Sequence, residues 1–222
     1  MLVLNEVEGW LSLEVIELLQ DLCKKRPTNS DILEVGTWKG KSAIAMATVL
    51  DRDSILHCVD TFIGSQEHQH LYGEVNTLKD FQENLKAWQI ENKVRIHIGT
   101  SKDVAEHLDD DSLGLIFIDG SHDYADVLQD YQILFPKLKI GGYMAFHDSK
   151  WPGVRKVLWE EVFPTKNTGL IKRIEDTTYF QKTPHSYYLI WNLIQLFVEQ
   201  RKQDLKRYKR KARKKYFRFN EY

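Results

Sequence analysis

Two short runs hold the residues best suited to chemistry. Asp119-Gly-Ser-His122 follows the apolar run Leu113–Ile118, and His147-Asp148 follows Tyr143–Phe146. If both runs are parallel neighbours in a sheet, they lie ~4.8 Å apart and their carboxylates open on one site. Two carboxylates at a strand rim can hold a hard divalent cation such as Mg²⁺, with water filling the other positions. Such an ion lowers the pKa of a bound hydroxyl. His122, three residues after Asp119, is placed to take that proton as a general base. Asp119, His122 and Asp148 are therefore the expected catalytic residues, with Asp119 and Asp148 the metal ligands. His147 ends an otherwise apolar run and reads as a hydrogen-bonded structural histidine.

A second constellation is Glu34-Val-Gly36-Thr37-Trp-Lys-Gly40-Lys-Ser42. Gly36 permits a sharp turn after a strand, and Gly40 lets the next helix begin close to a ligand. The G-x-x-x-G spacing is neither the G-x-G-x-x-G of dinucleotide sites nor a phosphate loop. That disfavours a nicotinamide oxidoreductase. Asp60 closes the next apolar run, where an acid in nucleotide-binding α/β folds meets ribose hydroxyls.

These residues need a scaffold that brings strand ends together. Apolar, β-rich runs at 31–36, 54–60, 94–99, 113–119 and 143–147 alternate with helical patterns at 10–25, 41–50, 78–88, 101–108, 124–138 and 154–162. A turn is expected at 139–142, and 170–174 and 179–182 can pair as a hairpin. Such alternation predicts parallel βαβ units with right-handed crossovers. Ligands in such sheets bind at the carboxyl ends of the strands, which is where the residues above fall.

Composition agrees with a folded α/β protein. The 222 residues are 42% hydrophobic and 28% charged, which excludes disorder, collagen and disulfide scaffolds as whole-chain descriptions. The longest apolar run is too short for a membrane span. The acidic start lacks the basic region of a signal peptide. Two cysteines, Cys23 and Cys58, sit in apolar patterns, as buried free thiols suited to a reducing cytosol. Together these point to a cytoplasmic protein.

On these residues the chain resembles class I S-adenosylmethionine (SAM)-dependent methyltransferases. It is similar in particular to a bacterial branch that includes macrolide-sugar O-methyltransferases. Gly9-Trp-Leu, Glu34–Ser42, Val59-Asp-Thr-Phe62, Phe117–Tyr124, Lys139-Ile-Gly-Gly142, His147-Asp148 and Pro152-Gly-Val154 carry the resemblance, over roughly residues 9–160. The Asp-Gly-Ser-His-x-Tyr and His-Asp pieces are specific, and the glycine loop is generic. The resemblance implies a Rossmann-like, seven-stranded sheet with helices on both faces, to which the sequence pattern adds a C-terminal helix. It implies that Glu34 and the loop backbone from Gly36 through Thr37 to Gly40 hold the methionine part of SAM. By the same match Ser42 reaches its carboxylate, Asp60 the ribose, and Thr100 and Ser101 the adenine edge. Related metal-dependent O-methyltransferases place a base three residues after the first metal-binding aspartate, the position of His122. Asp148 is followed by Ser149, where some relatives carry a second acid or an amide.

Other candidates are weaker. Gln66, His68, His70 and Tyr72 lie in a long polar stretch, 63–77, of lid-like length. Asp109-Asp110-Asp111 reads as a solvated turn. Trp38 and Trp151 flank the expected site and can pack on substrate or adenine.

The C-terminal segment stands apart. Arg201–Tyr222 holds 11 basic and 2 acidic residues, a net +9, against −10 for the rest of the chain. Before it, Tyr187–Val198 is apolar but for Asn192 and Gln195, and the pattern predicts a helix over 187–213. Three readings are open: docking on the sheet or a sister subunit of a homo-oligomer, an anionic membrane surface met by 187–218 at the inner face of the membrane, or nucleic acid. Residues 1–183 are expected to form the methyltransferase domain and 184–222 the helix and tail. The expected activity is methyl transfer from SAM to a hydroxyl of a sugar or other small molecule. The alternatives are an RNA methyltransferase recruited by the tail and a catalytically idle SAM-binding scaffold.

Overall fold

The computed structural model describes residues 4–64, 69, 75–184 and the single positions 190, 192, 194, 198 and 201. Its centre is a seven-stranded sheet. The strands are β1 Asp31–Val35, β2 Leu56–Asp60, β3 Val94–Ile98, β4 Leu113–Ile118, β5 Leu138–Phe146, β6 Lys172–Ile174 and β7 Thr177–Gln181. Their order is β3-β2-β1-β4-β5-β7-β6. The first five run parallel, while β7 is antiparallel to β5 and to β6. The helices are α1 Leu13–Lys25, α2 Lys41–Ala47, α3 Leu78–Trp88, α4 Ser101–Ala105, α5 Tyr124–Leu134 and α6 Pro152–Val157. The expected α/β architecture and seven-stranded sheet are present.

Strand periodicity sorts each strand's residues between two cores. In β1, Ile32 faces one side with Leu19, Ile44, Leu56, Phe81 and Phe117, under α1, α2 and α3. Leu33 and Val35 face the other with Ile116, Ile118, Val127, Phe146 and Val157, under α5 and α6. Glu34 therefore shares a face with Ile32 and is fully buried. Ser12 caps α1, its Oγ accepting from Val15 N at 3.3 Å.

Several boundaries differ from the sequence pattern. Residues 139–142 form no turn: β5 runs through Gly141 and Gly142 because β7's neighbour Lys182 completes the pairing there, Gly141 N donating to Lys182 O and Lys182 N to Gly142 O. The register of β4 on β5 shifts between Leu113 and Leu115. The 124–138 helix stops at Leu134, since Pro136 sits in a short 3-10 turn, Phe135–Lys137, that leads into β5. The helix over 101–108 is confined to Ser101–Ala105, and that over 154–162 becomes a π-helical turn after Val157. Both cysteines are free and buried, and burial pushes the Cys23 thiol up to about 12.

Candidate active site

Register decides which residues meet at the carboxyl end. Ile118 pairs with Phe146, so the next residues outward are Asp119 and His147. His147 Nδ1 lies 2.8 Å from Asp119 Oδ1 and 3.5 Å from Asp148 Oδ2. His147 Nε2 lies 3.3 Å from Asp176 Oδ1, in the β6–β7 turn. A buried imidazole thus stands among three carboxylates. Burial pushes its pKa down, but hydrogen bonds to Asp119 and Asp148 and their charges overcome this and raise it to about 10. His122 Nε2 is 3.0 Å from Asp148 Oδ2. Hydrogen bonds from His122 and His147 hold the Asp148 carboxyl well below the usual range. Burial pushes Asp119 up, against the pull of His147.

Asp119, His122 and Asp148 are therefore brought into one cluster. His147, read from sequence as a hydrogen-bonded structural histidine, is its centre: Asp119, His147 and Asp148 each offer one ligand atom, and these atoms lie within 4.8 Å of one another. No sequence motif marks Asp176, which sits in a hairpin turn far along the chain. The hairpin is tied to the site through Ser149, whose N and Oγ donate to Asp176 O at 2.8 and 2.6 Å. Thr178 Oγ1 donates to Ser149 Oγ at 2.9 Å. Trp151 stacks on His122, ring centroids 4.6 Å apart and 22° from parallel.

The glycine loop lies across β1 from this cluster. A Cβ on Gly36 would come within 2.3 Å of Asp119 O, so the missing side chain lets the ends of β1 and β4 converge. Gly40 has φ +91°, and its Cβ would meet the Phe81 ring at 2.5 Å. Its missing Cβ thus leaves room for the Phe81 ring of α3. Asp60 is similarly committed. Its Oδ2 accepts from Thr37 N and Trp38 N, both at 2.8 Å, and its Oδ1 from Phe62 N at 2.7 Å. The acid expected to meet ribose also ties β2 to the loop. The N-terminal segment straps the loop from outside, with Lys41 Nζ on Gly9 O at 3.1 Å and Trp10 5.5 Å from Trp38.

Glu34 lies beneath the loop. Burial raises its pKa to about 8, although Ser42 and Cys58 favour the charged form. Its Oε1 and the Thr37 hydroxyl are buried without a hydrogen-bond partner. Buried polar atoms are rarely left so, and these two fit the polar methionine end of SAM. Thr100 and Ser101 carry hydroxyls engaged within the protein. Thr100 Oγ1 donates to Asp103 at 2.7 Å, and Ser101 Oγ to Asp130, whose pKa burial lifts to about 6. Gln66, His68, His70 and Tyr72 lie outside the described residues, as do 202–222.

The sheet has the methyltransferase Rossmann-like fold. A family profile described as "Methyltransferase domain" matches residues 33–149, just over half of the chain. The chain belongs to that family, as a class I SAM-dependent methyltransferase. Among solved structures it is similar to the O-methyltransferase NovP, with TM-score 0.67 and 20% identity over 78% of this chain and 81% of NovP. It is similar also to TomG of Streptomyces achromogenes, an O-methyltransferase in complex with SAM (TM-score 0.60, 17% identity, 78% and 82% covered). A third is an O-methyltransferase of Bacillus cereus with SAH (TM-score 0.59, 15% identity, 80% and 86% covered). A curated relative, the uncharacterized protein y4gI of Sinorhizobium fredii, is 30% identical over 122 residues, which are 54% of this chain. The chain spans about 13% of that relative's length.

Proposed function

We propose that this enzyme transfers the methyl group of SAM to a hydroxyl of a sugar or other small molecule. The observation that carries this is the His122–Asp148 pair at 3.0 Å, a base oriented by a carboxylate at the rim of β4 and β5. With Nε2–H donating to Asp148, Nδ1 is the basic nitrogen of that tautomer, and the hydroxyl proton passes to it. Asp148 then stabilises the imidazolium, and Trp151 keeps the ring plane fixed by stacking. Glu34, Thr37 and Ser42, with the loop backbone, hold the methionine end of SAM. Asp60 keeps the loop in place beside the ribose, and the first turn of α4 at Thr100 and Ser101 borders the adenine. The chain's main contribution is to hold oxygen, methyl carbon and sulfur in line.

Asp119, His147 and Asp148 fit a divalent ion once His147 gives up its proton. An imidazole among the donors suits Mn²⁺ or another transition ion better than Mg²⁺. Bound there, the ion would lower the pKa of the acceptor hydroxyl.

The test is calorimetric titration with SAM and SAH, with and without Mg²⁺ or Mn²⁺, followed by methyl transfer to a panel of hydroxylated acceptors. SAM binding with turnover on one acceptor class supports the reading. Tight SAM binding without transfer to any hydroxyl would replace it with the idle scaffold.

A further inference from the structure

Positions 190, 192, 194, 198 and 201 are helical. Asn192 is 1% exposed and ties this helix to the segment before β6. Its Nδ2 donates to Gly169 O at 3.1 Å, and its Oδ1 accepts from Ile171 N at 3.4 Å. At about 100° per residue, Ile190, Ile194 and Val198 form a stripe centred roughly 160° away from Asn192. They are 73%, 46% and 44% exposed. The side of the helix that meets the segment before β6 is thus the Asn192 side, and the aliphatic stripe is turned outward. In the sequence, the segment that follows, 201–222, holds 11 basic and 2 acidic residues, a net charge of +9.

We propose that this stripe and the basic segment after it seat the enzyme on an anionic lipid bilayer. The aliphatic residues enter the boundary between headgroups and acyl chains, and the lysines and arginines lie against lipid phosphates. A bilayer uses both features at once. Nucleic acid would meet the charges but leave the aliphatic stripe in water. A second copy would cover the stripe but bring two segments of +9 toward each other. No helix among the described residues is long and apolar enough to cross a membrane.

The experiment is flotation of the full-length protein with vesicles of phosphatidylcholine alone or mixed equally with phosphatidylglycerol, at low and high salt. Partitioning onto the anionic vesicles should be at least about tenfold stronger and should weaken at high salt. Ile194→Asp with Val198→Asp should cost about tenfold of it. So should replacing Lys209, Arg210 and Lys211 by glutamine. Neither set should change SAM affinity or the melting temperature, which separates this proposal from the methyltransferase reading. Equal partitioning onto both vesicle types would overturn it. So would full binding by both variants, a dimer in lipid-free solution that the aspartate pair dissociates, or binding to RNA with none to vesicles.

Discussion

His147 Nδ1 stands 2.8 Å from Asp119 Oδ1 because the register of β4 on β5 makes these two residues the first beyond the sheet. Asp148, the second expected metal ligand, is one residue further and turns back at φ +47° to reach both His122 and His147. The cluster is thus a chain, His122–Asp148–His147–Asp119, with Asp176 bracing the central imidazole from behind.

His122→Ala should lower kcat by about 10²–10⁴, the usual contribution of a positioned base, with SAM affinity unchanged. Turnover on whichever acceptor the panel identifies, beside a SAM titration of the same variant, checks it. Near-normal turnover would move the proton to another group.

Asp176→Asn removes the charge behind His147 while keeping the hairpin's backbone bonds to Ser149. An outer partner of a ligating histidine affects metal affinity by about 10–100-fold. Mn²⁺ titration of the variant should show a loss of that order with an unchanged melting temperature. An equal loss of stability and affinity would make Asp176 merely structural.

The pH dependence follows from the two shifts. His147 is raised from 6.5 to about 10, so its contribution is full below 6.5 and is lost as pH rises through 10. Asp148 is depressed below 3.8, so its contribution is present above that value and is lost in stronger acid. Between 3.8 and 6.5 both are in place. Melting temperatures of the parent and His147→Gln should differ most in that window and converge near pH 10. A difference independent of pH would mean His147 acts through packing alone.

Asp60→Ala should destabilise the protein even without cofactor, because three backbone N–H groups of the loop and of Phe62 lose a charged acceptor. Hydrogen bonds to charged groups contribute about 1.5–3 kcal/mol each, part of which water would restore. A drop in melting temperature of the apoprotein together with weakened SAM binding is expected. Weakened SAM binding with an unchanged melting temperature would assign Asp60 to the ribose alone.

Much of this protein is decided by local pattern. Apolar runs of strand length alternating with helical ones specify β1–β5 and their helices, because period and burial are properties of each segment. The glycine loop and the acids at strand ends could be placed for the same reason, since a parallel sheet delivers strand ends to one edge. Pairing between segments is a different matter. That Asp119 faces His147 before Asp148 depends on a register shift between β4 and β5, and that β5 runs through Gly141-Gly142 depends on Lys182 beyond β7. Asp176 joins the site only because β7 folds antiparallel onto β5. Asp60, Thr100 and Ser101 have the types and spacing of cofactor contacts, yet their side chains also bind Thr37, Asp103 and Asp130 within the protein. A residue's type and spacing set what its side chain can bond. Which partner it takes is a competition among distant groups, and that is settled only when the tertiary structure brings them within reach.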